Sequence, residues 1–309
     1  MVQRLKNPAF LLERRWLYAM MGGLFILLYA PLMVHWVDGW LNKTISIEHE
    51  YFSHGLIGFP FAAYIVWLQR KKWRRLSDRT HPVGGILLGL GALCYLSGTG
   101  ELVNLSLPIL LTGLCLWLKG VPGLKLQGFP LILVWLATPN AMPYLISPFS
   151  IVLQTFIANV AGFILIHAGM DVQVESIYLT VGGRLVEVAP HCSGLKMLFT
   201  SLYVGLMLLY WTDNLRSRPK TIALLLGATF ISVSANILRN TLLTYFHGSH
   251  QDQLFAWLHE GWGGDLYSAG MLGLVLVWMN ILDRLHLTPK PALPLTPEPP
   301  QDSMGDSES

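Results

Sequence analysis

Apolar stretches of helical length recur from residue 16 to residue 282 with no long polar block between them, and that recurrence restricts the chain to one environment. Crossing about 30 Å of hydrocarbon takes roughly 20 mostly apolar residues, fewer where flanking side chains snorkel to the surface. The composition agrees, since 53% of the 309 residues are hydrophobic and 13% are charged, against about 25% charged in an ordinary soluble domain. One integral membrane domain over residues 1–287 is the economical reading. Residues 288–309 are rich in Pro and polar side chains and are expected to form a disordered cytoplasmic tail. A formal charge of +3 gives no reason to expect nucleic acid as a partner, and three cysteines are too few for a disulfide scaffold.

Eight spans are expected, over 16–34, 55–69, 83–99, 102–118, 127–143, 193–212, 220–238 and 265–282. The first follows four basic residues in the manner of a signal peptide, but no A-x-A-like cleavage site comes after it, so it is taken as a permanent span. Lys and Arg fall in tight groups that alternate between the loops: Arg4 to Arg15, Arg70 to Arg79, Lys119 with Lys125, Arg216 to Lys220, and Arg284 with Lys290. With both termini cytoplasmic, all five groups lie inside, and of the 21 basic residues only Lys43, Arg184, Lys196 and Arg239 are left for the outer side or the membrane. The apolar stretch 144–169 has no basic residue near either end, and counting it as a crossing breaks this parity. It is therefore expected as a re-entrant or amphipathic helix on the outer face, after the turn Thr138-Pro-Asn-Ala-Met-Pro143. Next comes a strand-like pattern, 172–181, then Gly182-Gly183, then 184–188, which reads as a small β-hairpin at the outer surface. The fold class is thus an all-α polytopic membrane protein with one small β element.

Ionisable groups near a bilayer are costly and are functional candidates for that reason. Three share the outer face: Cys192 in Pro190-His-Cys-Ser-Gly194, Arg239 in Ser234-Ala-Asn-Ile-Leu-Arg-Asn240, and His259 in Trp257-Leu-His-Glu-Gly-Trp-Gly-Gly264. A thiol at a helix N-terminus has its thiolate favoured by unpaired N–H groups and the helix dipole. An imidazole can serve it as base and then as acid, and a guanidinium can stabilise a tetrahedral oxyanion. Each residue also has a plain structural use: a cysteine as a small apolar side chain, the reading adopted for mid-span Cys94 and Cys115, and an arginine that snorkels to headgroups. His54, Glu187, Asn236 and Glu260 are candidate supporting residues. Neither CxxC nor HExxH occurs, and no phosphate-binding loop follows a strand, so neither metal nor cofactor is expected.

The run Val186-Glu-Val-Ala-Pro-His-Cys-Ser-Gly-Leu-Lys-Met197, the later Asn236-Ile-Leu-Arg239, His259 with its trailing glycines and the early Tyr51-Phe-Ser-His-Gly55 together resemble the exosortase/archaeosortase family, from about residue 16 to 285. The resemblance implies a membrane cysteine protease or transpeptidase with Cys192, Arg239 and His259 as its active site. It implies as substrates secreted proteins that end in a short motif, often Pro-Glu-Pro, a transmembrane helix and a basic tail, and as a further partner a surface polysaccharide or lipid acceptor. The enzyme is then expected in the plasma (inner) membrane among membrane lipid, its site facing the periplasmic side. His191 stands where the family motif carries a small residue. The Pro297-Glu-Pro299 of the chain itself lies in the tail with no span after it and is taken as coincidence. The competing function is a transporter or flippase for a lipid-linked saccharide, in which Arg239 and the outer histidines bind an anionic headgroup and no thiol is needed.

Overall fold

A computed structural model describes residues 8–41, 51–189, 193–259 and 261–285. The expected nucleophile Cys192, with His191 and Glu260, and the tail from 286 onward lie outside the described residues. In chain order the elements are α1 (Pro8–Leu41), α2 (Gly55–Arg75), α3 (Pro82–Leu96), α4 (Gly100–Ala137), α5 (Met142–His167), β1 (Val172–Glu175), β2 (Tyr178–Val181), β3 (Arg184–Glu187), α6 (Leu195–Trp211), α7 (Arg218–Gly248), α8 (Asp252–His259) and α9 (Trp262–Arg284). The chain is a mostly helical, multi-pass membrane protein. By length and composition Gly22–Leu41, Gly100–Ala137, Pro148–His167, Arg218–Gly248 and Trp262–Arg284 can cross a membrane, while Pro82–Leu96 and Leu195–Trp211 are apolar but shorter.

α4 holds two of the expected spans in one element. Gly120 breaks it with φ 62 and ψ −154, a backbone region that favours glycine, and a Cβ there would also press on the Arg79 carbonyl at 3.0 Å. The second leg folds back along the first, so that Trp135 Nε1 donates to Thr112 Oγ1 at 3.2 Å. In a straight helix those residues would stand about 35 Å apart. The first leg meets α3 backbone to backbone, through Gly84 and Gly113, the close approach that small residues permit between membrane helices.

Side-chain contacts fix which helix ends lie together. His54, just before α2, places Nε2 3.1 Å from the Leu136 carbonyl, and its ring lies 4.4 Å from that of Tyr203, whose hydroxyl donates to Leu133 O. Farther along, Gln69 donates to Tyr210, which stacks on Phe129 at 4.3 Å. The start of α2, the end of α4 and the first half of α6 therefore share one end of the bundle. Met197, Ala235 and Met271 cluster near that end, and Leu209, Leu224, Met279 and Leu282 cluster near the other, so α7 runs antiparallel to both α6 and α9. Arg70 to Arg79, Lys119, Lys125, Arg216 to Lys220 and Arg284 gather at the second end. There Lys119 pairs with Asp78 at 2.6 Å and Lys220 with Asp283 at 2.5 Å.

The stretch expected as a re-entrant or amphipathic helix is α5, one unbroken helix of 26 residues. It begins just after α4, and its second half packs through Ile157, Ala158, Ala161 and Leu165 on the sheet. The sheet in turn meets the C-terminal end of α7, where a Cβ on Gly248 would strike Val181. Pro148–His167 of α5 is long and apolar enough to cross a membrane. The expected hairpin is a three-stranded antiparallel sheet of order β1-β2-β3. Residues 172–181 are not one strand, because Glu175 pairs with Tyr178 across a two-residue loop in which Ser176 takes φ 58. No glycine announced that turn. The second loop, with Gly182 at φ 58 and Gly183 at φ 76, falls where the Gly-Gly pair pointed.

Gly84→Ala tests the α3–α4 contact. Its Cβ would sit 2.5 Å from the backbone nitrogen of Trp117, an atom that has no rotamer by which to withdraw. A loss of about 1–3 kcal/mol is expected, visible as a lower melting temperature in detergent, whereas Gly89→Ala on the same helix, with open space around it, is expected to leave the melt unchanged.

Candidate active site

The site is organised by α7, whose 31 residues span roughly 46 Å and so outreach a hydrocarbon core of about 30 Å. Ser232, Asn236, Asn240 and Thr244 recur every fourth residue and are all buried, which makes one face of this helix a polar stripe inside the protein. Asn240 donates to the Asn236 carbonyl at 2.9 Å. Buried amides in a membrane protein demand partners and mark functional interiors. The sequence reading singled out Asn236 and passed over Asn240, although the same four-residue period points to it.

Asn236 faces the start of α6. A Cβ on Gly194 would lie 2.5 Å from Asn236 Cγ and 2.6 Å from Nδ2, and Gly194 itself has φ 79 as the N-cap of α6. Glycine at 194 thus answers two demands, a left-handed backbone and the contact with Asn236. One turn farther along α7, Arg239 reaches α8. Its Nη2 donates to the carbonyls of Leu258 at 3.3 Å and His259 at 3.4 Å, where a helix ends with unpaired acceptors and the negative pole of its dipole. Nε of Arg239 is buried with no hydrogen-bond partner among the described residues, and the guanidinium therefore keeps donor capacity for another acceptor.

His259 closes α8, half-buried, with its ring stacked on Phe255 at 5.2 Å and 11°. The glycines after it have steric reasons. A Cβ on Gly261 would meet the Trp257 carbonyl at 2.7 Å, one on Gly263 the Trp257 indole at 2.5 Å, and one on Gly264 the Leu258 carbonyl at 2.9 Å with Arg239 Nη2 at 3.5 Å. The Gly-rich run thus lets α9 start directly beneath α8 without displacing the arginine. Tyr267 on α9 donates to the Ala235 carbonyl at 2.6 Å and fixes the other flank of α7. The opposite end of α8 is held by β3: Arg184 Nη1 donates to Asp252 Oδ1 at 2.5 Å and to the His247 carbonyl at 3.3 Å. That hydrogen bond keeps the Asp252 carboxyl below the ordinary carboxylate range, and the guanidinium charge adds to the effect. Arg184 was grouped by its charge in the sequence, and its contact with α8 became visible only in the fold.

The structure therefore brings Asn236, Arg239 and His259 to one end of the bundle, beside the N-cap of α6 two residues after Cys192. His54 is buried at the same end but in a different interface, among α2, α4 and α6. Glu187 is exposed at the end of β3, and no ion pair joins it to Arg239 or His259 among the described residues. Nor, among those residues, do three His, Cys, Asp or Glu side chains gather closely enough to hold a metal ion.

Residues 36–276 match the family model described as transmembrane exosortase. The chain belongs to the transmembrane exosortase family. That family is of the cysteine-type transpeptidase class, and the matched span takes in the 186–197 run, Arg239, His259 and the glycines that follow. No curated protein and no solved structure matches the chain. For an exosortase, the geometry explains two motif positions that carry no reactive group, namely Gly194 and Asn236, which fit one another.

Two outcomes check this geometry. Gly194→Ala is expected to lower turnover roughly a hundredfold through misplacement of the α6 start while the protein remains inserted, and adding Asn236→Ala, which makes room for the methyl group, should recover part of the rate. Second, a carboxylate held below its ordinary range stabilises the folded chain above that range and ceases to do so as pH falls through its folded-state value. The acid limb of thermal stability should therefore be shallower in Asp252→Asn than in the parent protein.

Proposed function

We propose that this exosortase is a membrane-embedded cysteine protease or transpeptidase that removes the C-terminal sorting signal of secreted proteins, with Cys192 as nucleophile, Arg239 as oxyanion donor and His259 as general acid and base. The observation that carries the reading is the position of Arg239. It is tied to the carbonyls at the end of α8 beside His259, and it lies one turn of α7 from Asn236, whose side chain abuts the glycine two residues after Cys192. Arg239 and the α8 end that carries His259 thus meet, and Gly194, which follows Cys192 by two residues, packs on the same helix as Arg239.

In the proposed topology eight helices cross the membrane, α4 supplying two of them and α5 staying on the outer side. The bundle end that gathers the basic residues faces the cytoplasm, so the site faces the periplasm of the inner membrane. The substrate's C-terminal helix enters laterally with its basic tail cytoplasmic, and this docking supplies the positioning of the scissile peptide. The Cys192 thiolate attacks the carbonyl carbon, and the oxygen gains a negative charge that the unassigned donors of Arg239 stabilise. His259 gives a proton to the leaving amine, and the C–N bond breaks to leave an acyl-enzyme. Water or an amine on a surface acceptor, deprotonated by His259, attacks the thioester and restores the thiolate. Asn236 acts as a positioning residue at the α6 turn. His54, Glu187 and Glu260 are assigned supporting roles.

The test is co-expression with a reporter carrying a Pro-Glu-Pro motif, a transmembrane helix and a basic tail, together with candidate tails from the same genome, and mass spectrometry of the reporter's new C-terminus. Cleavage should vanish in Cys192→Ala, and the mass of the new end separates hydrolysis from transfer. Arg239→Lys is expected to lower turnover about 10²- to 10³-fold, because a point charge does not reproduce the planar guanidinium. Full function of Cys192→Ala in an inserted protein would instead support the transporter reading. The pH dependence under saturating substrate should show a limb set jointly by Cys192 and His259.

A further inference from the structure

Two hollows adjoin along α2 and α4, the second of them at the basic end of the bundle. The first, about 390 Å³, lies between α2 and the two legs of α4. Aliphatic and aromatic side chains such as Phe59, Leu111, Leu114 and Leu131 wall it, with Cys115 among them, and Arg70 and Gln127 break the apolar lining. The second, about 580 Å³, is bounded by Arg74, Asp78, Thr80, Trp117 and Lys119. Trp73 and Leu118 line both, so an apolar chamber opens beside a charged one.

This pairing selects a class of ligand. The apolar chamber has the size of a ligand pocket, and nothing on its wall but Arg70 and Gln127 would direct a polar molecule. In the charged chamber Lys119 is already bonded to Asp78 Oδ1 at 2.6 Å and to the Leu76 carbonyl at 2.7 Å. The uncompensated charge is that of exposed Arg74 and of Arg70, which stacks over the Trp67 ring at 4.0 Å and donates to its carbonyl. Lys71, Lys72 and Arg75 extend the same patch along α2. A basic peptide tail has the wrong sign for this surface, whereas basic clusters at a membrane surface attract anionic headgroups, and Trp73 and Trp117 are of the type that settles at headgroup level.

We propose that the two hollows hold one anionic phospholipid, an acyl chain in the chamber between α2 and the two legs of α4 and the phosphate beside Arg70 and Arg74. The lipid fills the angle that Gly120 opens in α4, and it braces the leg that carries Leu133 and Leu136 toward Tyr203 and His54. It takes no part in the chemistry, and the proposal stands apart from the assignment of Cys192.

The chain has three cysteines, so in a Cys94→Ser, Cys192→Ser variant Cys115 on the chamber wall is the sole thiol. The purified variant in detergent is treated with a small maleimide after addition of phosphatidylglycerol or of phosphatidylcholine, and the same samples are read by native mass spectrometry for retained lipid. Phosphatidylglycerol is expected to slow Cys115 modification several-fold and to be retained as one copy, phosphatidylcholine to do neither, and Arg70→Glu with Arg74→Glu to abolish both effects while the lipid-free melt stays unchanged. Equal protection by both lipids would overturn the proposal, since the chamber would then accept any chain. So would protection by a neutral hydrophobic helix peptide in place of phosphatidylglycerol, which would make the groove a dock for a protein helix. A constant rate with no lipid retained overturns it as well. If Cys115 is unreactive under all conditions, the retained mass decides: one phosphatidylglycerol lost in the Arg variant supports the proposal, and none in the parent overturns it.

Discussion

The bond between Arg239 and the last carbonyls of α8 is the contact on which the functional end of the molecule depends. A guanidinium is expensive to hold near hydrocarbon, and a helix terminus is left with acceptors it cannot satisfy itself. Each cancels part of the other's cost, and the helix dipole adds to the attraction. Because Arg239 extends from the long helix α7 and His259 ends the short helix α8, the same contact joins the rigid centre of the bundle to the segment that carries the imidazole. Gly264 keeps that space open from below, and Arg184 holds the far end of α8 through Asp252.

α7 serves as the ruler for this arrangement. Asn236 and Arg239 are three residues apart and so address neighbouring elements from one helical turn: Asn236 the α6 turn at Gly194, Arg239 the α8 terminus. Segments separated by tens of residues in sequence, the α6 turn and the α8 terminus, thus pack against neighbouring positions of one helix. The sheet meets the part of α7 that extends past the cluster of Met197, Ala235 and Met271, which gives its polar backbone a protein surface to lie against.

Much of the architecture was legible because membrane burial writes itself into composition. The apolar runs, the grouping of Lys and Arg, and the Gly182-Gly183 turn all found their counterparts, and the basic groups described here do gather at one end of the bundle. The misreading of the sheet has a physical origin, a local conformation that carries no strong local signal. Ser176 turns the chain with a positive φ and no glycine, so a three-stranded sheet was read as a hairpin. The roles of Asn240, Arg184 and Tyr267 were hidden for a related reason, since each is defined by its partner and not by its own residue type.

What the sequence by itself determined was the solvent, the pattern of helices, the sidedness of the charges and the motifs that place the chain with the exosortases. These follow from transfer free energies and residue chemistry, which act position by position. Only the tertiary structure decided that Gly120 folds α4 back on itself, that Gly194 and Asn236 fit one another, and that Arg239 meets the end of α8. Those are matters of a few ångströms between residues remote in the chain, and close packing settles them only when all the helices are in place.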